Sequence, residues 1–145
     1  MKYTAIRLSV VALGLCVLGM GACKKEDAKS RKELLTGSWT VVKTAHDDNN
    51  NGVADDSELR AVPNSNRNVE TFFKDGTGMI NVKDGLLNTT NYFQWQLVNG
   101  DQSLQVTPEG ESGNTVTLVT LTETDLVTES TANKDGKDWI YAKRK

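Results

Sequence analysis

Tyr92-Phe93-Gln94-Trp95-Gln96-Leu97 alternates without a break, with Phe93, Trp95 and Leu97 on one side of an extended chain and Tyr92, Gln94 and Gln96 on the other. Successive side chains of a strand point to opposite faces, so this run describes a strand with one buried and one wet face. Comparable runs lie along the chain: Ser38 to His46, Asn68 to Lys74, Thr77 to Lys83, Asn91 to Val98, Ser103 to Thr107, Thr115 to Thr122, Leu126 to Ala132 and Asp138 to Arg144. Between them stand Asp75-Gly76, Asp84-Gly85, Asn99-Gly100, Glu109-Gly110-Glu111-Ser112-Gly113 and Lys134-Asp135-Gly136, where glycine supplies the positive φ that tight hairpins need. Eight strands in consecutive hairpins, with no long crossover, predict an all-β, up-and-down antiparallel sheet. Closing it on itself as an eight-stranded barrel removes the exposed edges that a second covering sheet would leave.

The interior of such a barrel has room for packed side chains or for one small ligand, and the sequence leaves both open. Its inward set is expected to include Phe72 or Phe73, Ile80, Phe93, Trp95, Leu97, Val116 and Leu118. Ahead of the first strand, Ser30-Arg31-Lys32-Glu33 has the spacing of a capping box. Leu34-Leu35 and the stop at Gly37 then predict a helix of one or two turns.

Further toward the N-terminus the pattern changes. Lys2 and Arg7 precede an apolar run, Leu8 to Met20, that is too short to span a bilayer comfortably. It ends on Leu18-Gly19-Met20-Gly21-Ala22-Cys23, which resembles a bacterial lipobox. The expected organisation is a leader over 1–22, a tether and short helix over 23–33, and one barrel domain over 34–145. Cys23 then becomes the first mature residue and carries the lipid, each buried methylene contributing about 0.8 kcal/mol to anchoring. Cys16 leaves with the leader, so no disulfide is expected. Loss of Lys2 and Arg7 leaves fifteen basic against nineteen acidic residues, moving the formal charge from −2 to −4 and arguing against nucleic acid as a partner. Lys24-Lys25-Glu26-Asp27 resembles the surface-export signal of Bacteroidota lipoproteins. The expected location is the bacterial outer membrane, with display at the cell surface, and the expected state is monomeric.

The connection after the first strand carries a different signal. Asp47-Asp48-Asn49-Asn50-Asn51-Gly52-Val53-Ala54-Asp55-Asp56-Ser57-Glu58 has the spacing of a calcium-binding loop. Its oxygen ligands would be Asp47, Asn49, Asn51, the Val53 carbonyl, Asp55 through water and a bidentate Glu58, with Gly52 at the sharp turn. The context departs from an EF-hand. A strand precedes the loop, only Ser57 to Val62 could begin a helix before Pro63, and Ala54 replaces a larger apolar residue. The expectation is a structural Ca2+ staple of weak affinity, roughly 10⁻⁴–10⁻³ M, rather than a helix-opening switch.

Catalytic chemistry is sparse. His46 is the only histidine, and neither a Gly-x-Ser-x-Gly elbow nor a phosphate-cradling glycine loop occurs. A triad of His46, Asp47 and Ser57 conflicts with the loop's claim on Asp47, and one histidine does not make an ordinary zinc site. The expected protein is not an enzyme. Gly37-Ser38-Trp39 at the first strand, Phe72-Phe73-Lys74-Asp75-Gly76-Thr77, Trp95, and Lys143 or Arg144 near the C-terminus resemble the lipocalin-like domains of Bacteroidota lipoproteins. That resemblance spans Leu34 to Lys145 and implies that Trp39 closes the barrel base beneath a cationic side chain. Two functions follow: a lipid-anchored binder of a small apolar ligand, or an envelope module whose filled barrel meets another protein or a glycan.

Overall fold

The alternating runs pair into a single antiparallel sheet in the computed structural model, which describes residues 28–131 and 136–145. The helix α1 (Arg31–Leu35) precedes β1 (Gly37–His46), β2 (Arg60–Ala61), a 3-10 turn (Asn64–Asn66), β3 (Val69–Phe72), β4 (Thr77–Asp84) and β5 (Leu87–Val98). β6 (Ser103–Pro108), β7 (Asn114–Leu121), β8 (Asp125–Ser130) and β9 (Asp138–Arg144) complete the chain. Each strand from β3 to β9 pairs with its sequence neighbour, and β1 pairs with both β3 and β9, so eight strands close an up-and-down barrel. β2 lies outside that ring, pairing with Lys43 and Thr44 of β1 beyond the point where β3 stops.

Strand directions give the barrel two unlike ends. At the base, α1, the start of β1 and the end of β9 meet. At the mouth lie the chain between β1 and β2, the Asp84–Leu87 hairpin and the 109–113 turn. The capping box forms as expected: Ser30 Oγ accepts from Glu33 N at 3.2 Å, and Glu33 Oε2 accepts from Ser30 N at 2.8 Å. These bonds fix α1 so that Leu35 is fully buried under the barrel.

Leu35 packs with Trp39, Phe72, Phe93, Trp95, Leu104, Leu118, Leu126 and Ala142 in one core. Phe72 meets Phe93 and Trp95 edge-on, at ring separations of 5.5 and 5.7 Å. Trp95 Nε1 donates to the Phe73 and Thr77 carbonyls at 3.1 and 2.8 Å, so the ring is buried without leaving its N–H unpaired. Gly78 faces Phe93 across the β4–β5 ladder. A Cβ there would come within 2.2 Å of the Phe93 ring, so the missing side chain is what lets that ring lie flat on the sheet.

One expected facing needs correction, and one open segment is now assigned. Phe73 faces outward, 41% exposed, because β3 places Phe72 on the inner face and the chain then turns. Ser57 to Val62 forms no helix, since Arg60 and Ala61 are drawn into the β1 ladder instead. The expected leader over 1–22, Cys23, and Lys24 to Asp27 lie outside the described residues, as does most of the Lys134-Asp135-Gly136 turn. Among the described residues no helix is long and apolar enough to cross a membrane.

Candidate functional site

Above the packed base the barrel holds a cavity of about 680 Å³. This lies within the roughly 300–1,000 Å³ typical of small-molecule sites. Phe72, Leu126 and Ala142 belong to both the core and the cavity wall, whereas Pro108, Glu109 and Glu111 lie toward the mouth. Of the inward set read from the sequence, Phe72, Ile80, Phe93 and Val116 line the cavity. Trp95, Leu97 and Leu118 serve the packing of the core and do not line it.

Period-two reasoning missed the most informative wall residue. Glu70 pairs with Trp39 on β1 and with Ile80 on β4, which turns it to the inner face, and its carboxyl reaches the cavity. Burial pushes its pKa above the ordinary carboxylate value, because a charge there gives up water without gaining an opposite charge.

The base is sealed by a cation. The Arg144 guanidinium lies 4.4 Å from the centre of the Trp39 ring. Arg144 Nη1 donates to the Thr36 carbonyl at 2.9 Å, Nη2 donates to that of Leu34, and Nε donates to that of Glu123 at 2.6 Å. Trp39 Nε1 in turn donates to the Leu35 carbonyl at 2.8 Å. A Cβ on Gly37 would sit 2.5 Å from Arg144 Nη1, and Gly37 holds φ +128°, so the Gly-x-Trp pattern clears the path of the arginine.

At the mouth the Asp47–Glu58 loop is closed by its own side chains. Asp47 and Glu58 are 2% and 4% exposed. Asp47 Oδ1 accepts from Asn51 N at 2.9 Å and Oδ2 from Gly52 N at 2.8 Å. Glu58 Oε1 and Oε2 accept from Asp48 N and Asp55 N, both at 3.0 Å. Asn49 Oδ1 accepts from Asn51 N at 2.9 Å and Asn51 Oδ1 from Val53 N at 2.8 Å. The amides of Asn49 and Asn51 both donate to Asp55 Oδ2. Each side-chain oxygen of Asp47, Asn49, Asn51 and Glu58 accepts one backbone hydrogen bond and has a second lone pair left for a cation, whereas Asp55 Oδ2 already accepts two amide hydrogen bonds. Among the described residues no three His, Cys, Asp or Glu side chains converge as a metal cluster, so a cation here would draw on amide and carbonyl oxygens as well. Asp47 N also donates to the Lys137 carbonyl at 2.9 Å, fastening the loop to the start of β9.

His46 Nδ1 lies 2.7 Å from Asp138 Oδ1, a hydrogen bond that raises the histidine pKa. The carboxylate facing the histidine is therefore that of Asp138, whereas Asp47 serves the loop.

The sequence profile of the lipocalin-like domain matches residues 35–128, well over half the chain. The chain belongs to the lipocalin-like domain family. The lipocalin-like barrel is also similar to that of a lipocalin-like protein from Bacteroides uniformis, at 17% identity and a TM-score of 0.54, covering 77% of this chain and 98% of the other. A second similar structure, an uncharacterized protein from Bacteroides eggerthii, gives 13% identity and a TM-score of 0.53 over 75% and 98% of the two chains. No curated protein sequence matches it. At such identities the likeness establishes the fold, which is generally a binding fold without catalysis.

Proposed function

We propose that the protein is a membrane-anchored lipocalin-like binder of a small, largely apolar molecule held inside the barrel. The carrying observation is the cavity of about 680 Å³, walled by Phe72, Ile80, Phe93, Leu104, Val106 and Val116. Transfer of an apolar ligand into such a wall is favoured by about 25 cal/mol per Å² of surface removed from water. Anchoring rests on the lipobox pattern ending at Cys23, with the lipid holding the protein to the outer membrane. The loop is assigned a Ca2+ held by Asp47, Asn49, Asn51, the Val53 carbonyl, Asp55 and Glu58. Bound there, the ion would neutralise the loop carboxylates and stiffen the mouth.

Native mass spectrometry of protein extracted from its own membrane tests the binder. A retained molecule, lost when Ile80→Trp fills the cavity, is the expected result. Recovery of the bare polypeptide, together with no uptake of any apolar probe, would favour an envelope interaction module instead.

A further inference from the structure

The wall of the cavity is uneven in charge. Three carboxyl side chains line it, Glu70 within and Glu109 and Glu111 toward the mouth, whereas among the described residues no lysine, arginine or histidine does so. Glu70 differs in kind from the other two, which are exposed. It is half-buried in the cavity wall, facing the cavity, and no hydrogen bond or ion pair engages its carboxyl among the described residues. Its flanking partners in the ladders are Trp39 and Ile80, neither of which can compensate a carboxylate. A buried polar group without a partner costs free energy, and one aimed into a ligand-sized cavity finds its partner when the cavity fills.

We propose that the bound molecule is a lipophilic amine, its protonated nitrogen paired with the Glu70 carboxylate and its apolar body on Phe72, Phe93 and Val116. This specificity rests on the binder reading above. An ammonium group supplies both the charge and the donors that Glu70 lacks, and Glu109 and Glu111 favour entry of a cation at the mouth. A fatty acid meets the opposite field: its carboxylate would lie among carboxylates, with no basic side chain to receive it.

Three probes sharing one apolar body separate the possibilities: 6-phenylhexylamine, 6-phenylhexan-1-ol and 6-phenylhexanoate. Each is titrated by calorimetry into the full chain and its Glu70→Gln variant, in the same uncharged detergent. The amine is expected to bind the native protein about tenfold or more tightly than the alcohol, with the carboxylate weakest. Glu70→Gln should weaken the amine about tenfold and leave the alcohol within about twofold, which also shows that the variant's cavity is intact. Equal binding of amine and alcohol by the native protein would overturn the amine assignment while leaving a binder of apolar molecules. Amine affinity unchanged in Glu70→Gln, with alcohol binding retained, would overturn the role of Glu70. Absence of binding by all three would remove the binder reading and the amine with it.

Discussion

Replacing Arg144 tests whether the base is held by one side chain. Its three guanidinium nitrogens donate to the carbonyls of Leu34, Thr36 and Glu123, and its plane lies over Trp39. The cation–π contact contributes about 0.5–2 kcal/mol. Hydrogen bonds from a charged donor contribute about 1.5–3 kcal/mol each where water cannot replace them. The bonds to Leu34 and Thr36 are partly buried, whereas the one to Glu123 is exposed and water can take it over. Because those two bonds are only partly buried, each counts near the lower end of that range, and Arg144→Ala should cost about 3.5–5 kcal/mol, a large share of the roughly 5–15 kcal/mol that holds a domain folded. Arg144→Lys keeps the charge but has one nitrogen where three are used, and should cost about 2 kcal/mol. Lys143 supplies the control. It pairs with Asp125 at the surface, and Lys143→Ala should cost less than about 1 kcal/mol. Equilibrium urea unfolding followed by circular dichroism measures all three. If Arg144→Lys matched the native protein, or Lys143→Ala cost as much as Arg144→Ala, the argument from the guanidinium fork would be wrong.

Gly78→Ala forces the Phe93 ring off the sheet and should cost about 1–3 kcal/mol by urea unfolding; a neutral effect would mean that the ring moves freely. Glu70, whose folded pKa is raised, binds its proton more tightly than the unfolded chain does. Stability should therefore fall as pH rises above about 4.5 and level off past the folded pKa, and Glu70→Gln should flatten that decline. A variant with an unaltered pH profile in unfolding experiments would refute the burial of that carboxyl. For the loop, calcium at ten times its dissociation constant should add about 1.4 kcal/mol of stability, and Glu58→Gln should abolish the gain. Superimposable melting curves with calcium and with chelator would exclude the site.

Strands carrying both alternation and a glycine turn were legible in sequence, and so was α1, because its signals are local. What failed to show depended on partners distant in sequence. Along β3 hydropathy favours the wrong parity: Val69, Thr71 and Phe73 look like the inner face, while Glu70 and Phe72 occupy it. The deciding fact is Gly78, which faces Phe72 across the ladder and leaves room on the inner side for the Phe93 ring. The available clue was that Phe72, if inward, carries Glu70 with it. In β7 the register shifts between Leu118 and Thr120, so Leu118 and Leu121 both reach the core despite their odd spacing. β2 is two residues long and exists only because β1 outruns β3, a condition no local pattern records.

The two unlike ends of the barrel also set an orientation. α1 lies at the sealed end, and only six residues separate Cys23 from Ser30, a reach of about 25 Å when extended. With the proposed lipid on Cys23, a leash that short, leaving from the Arg144 end, would hold the closed floor toward the bilayer and turn the open end outward. The cavity would then exchange its contents with the surrounding medium rather than with the bilayer, and the Asp47–Glu58 loop would be among the parts farthest from that surface.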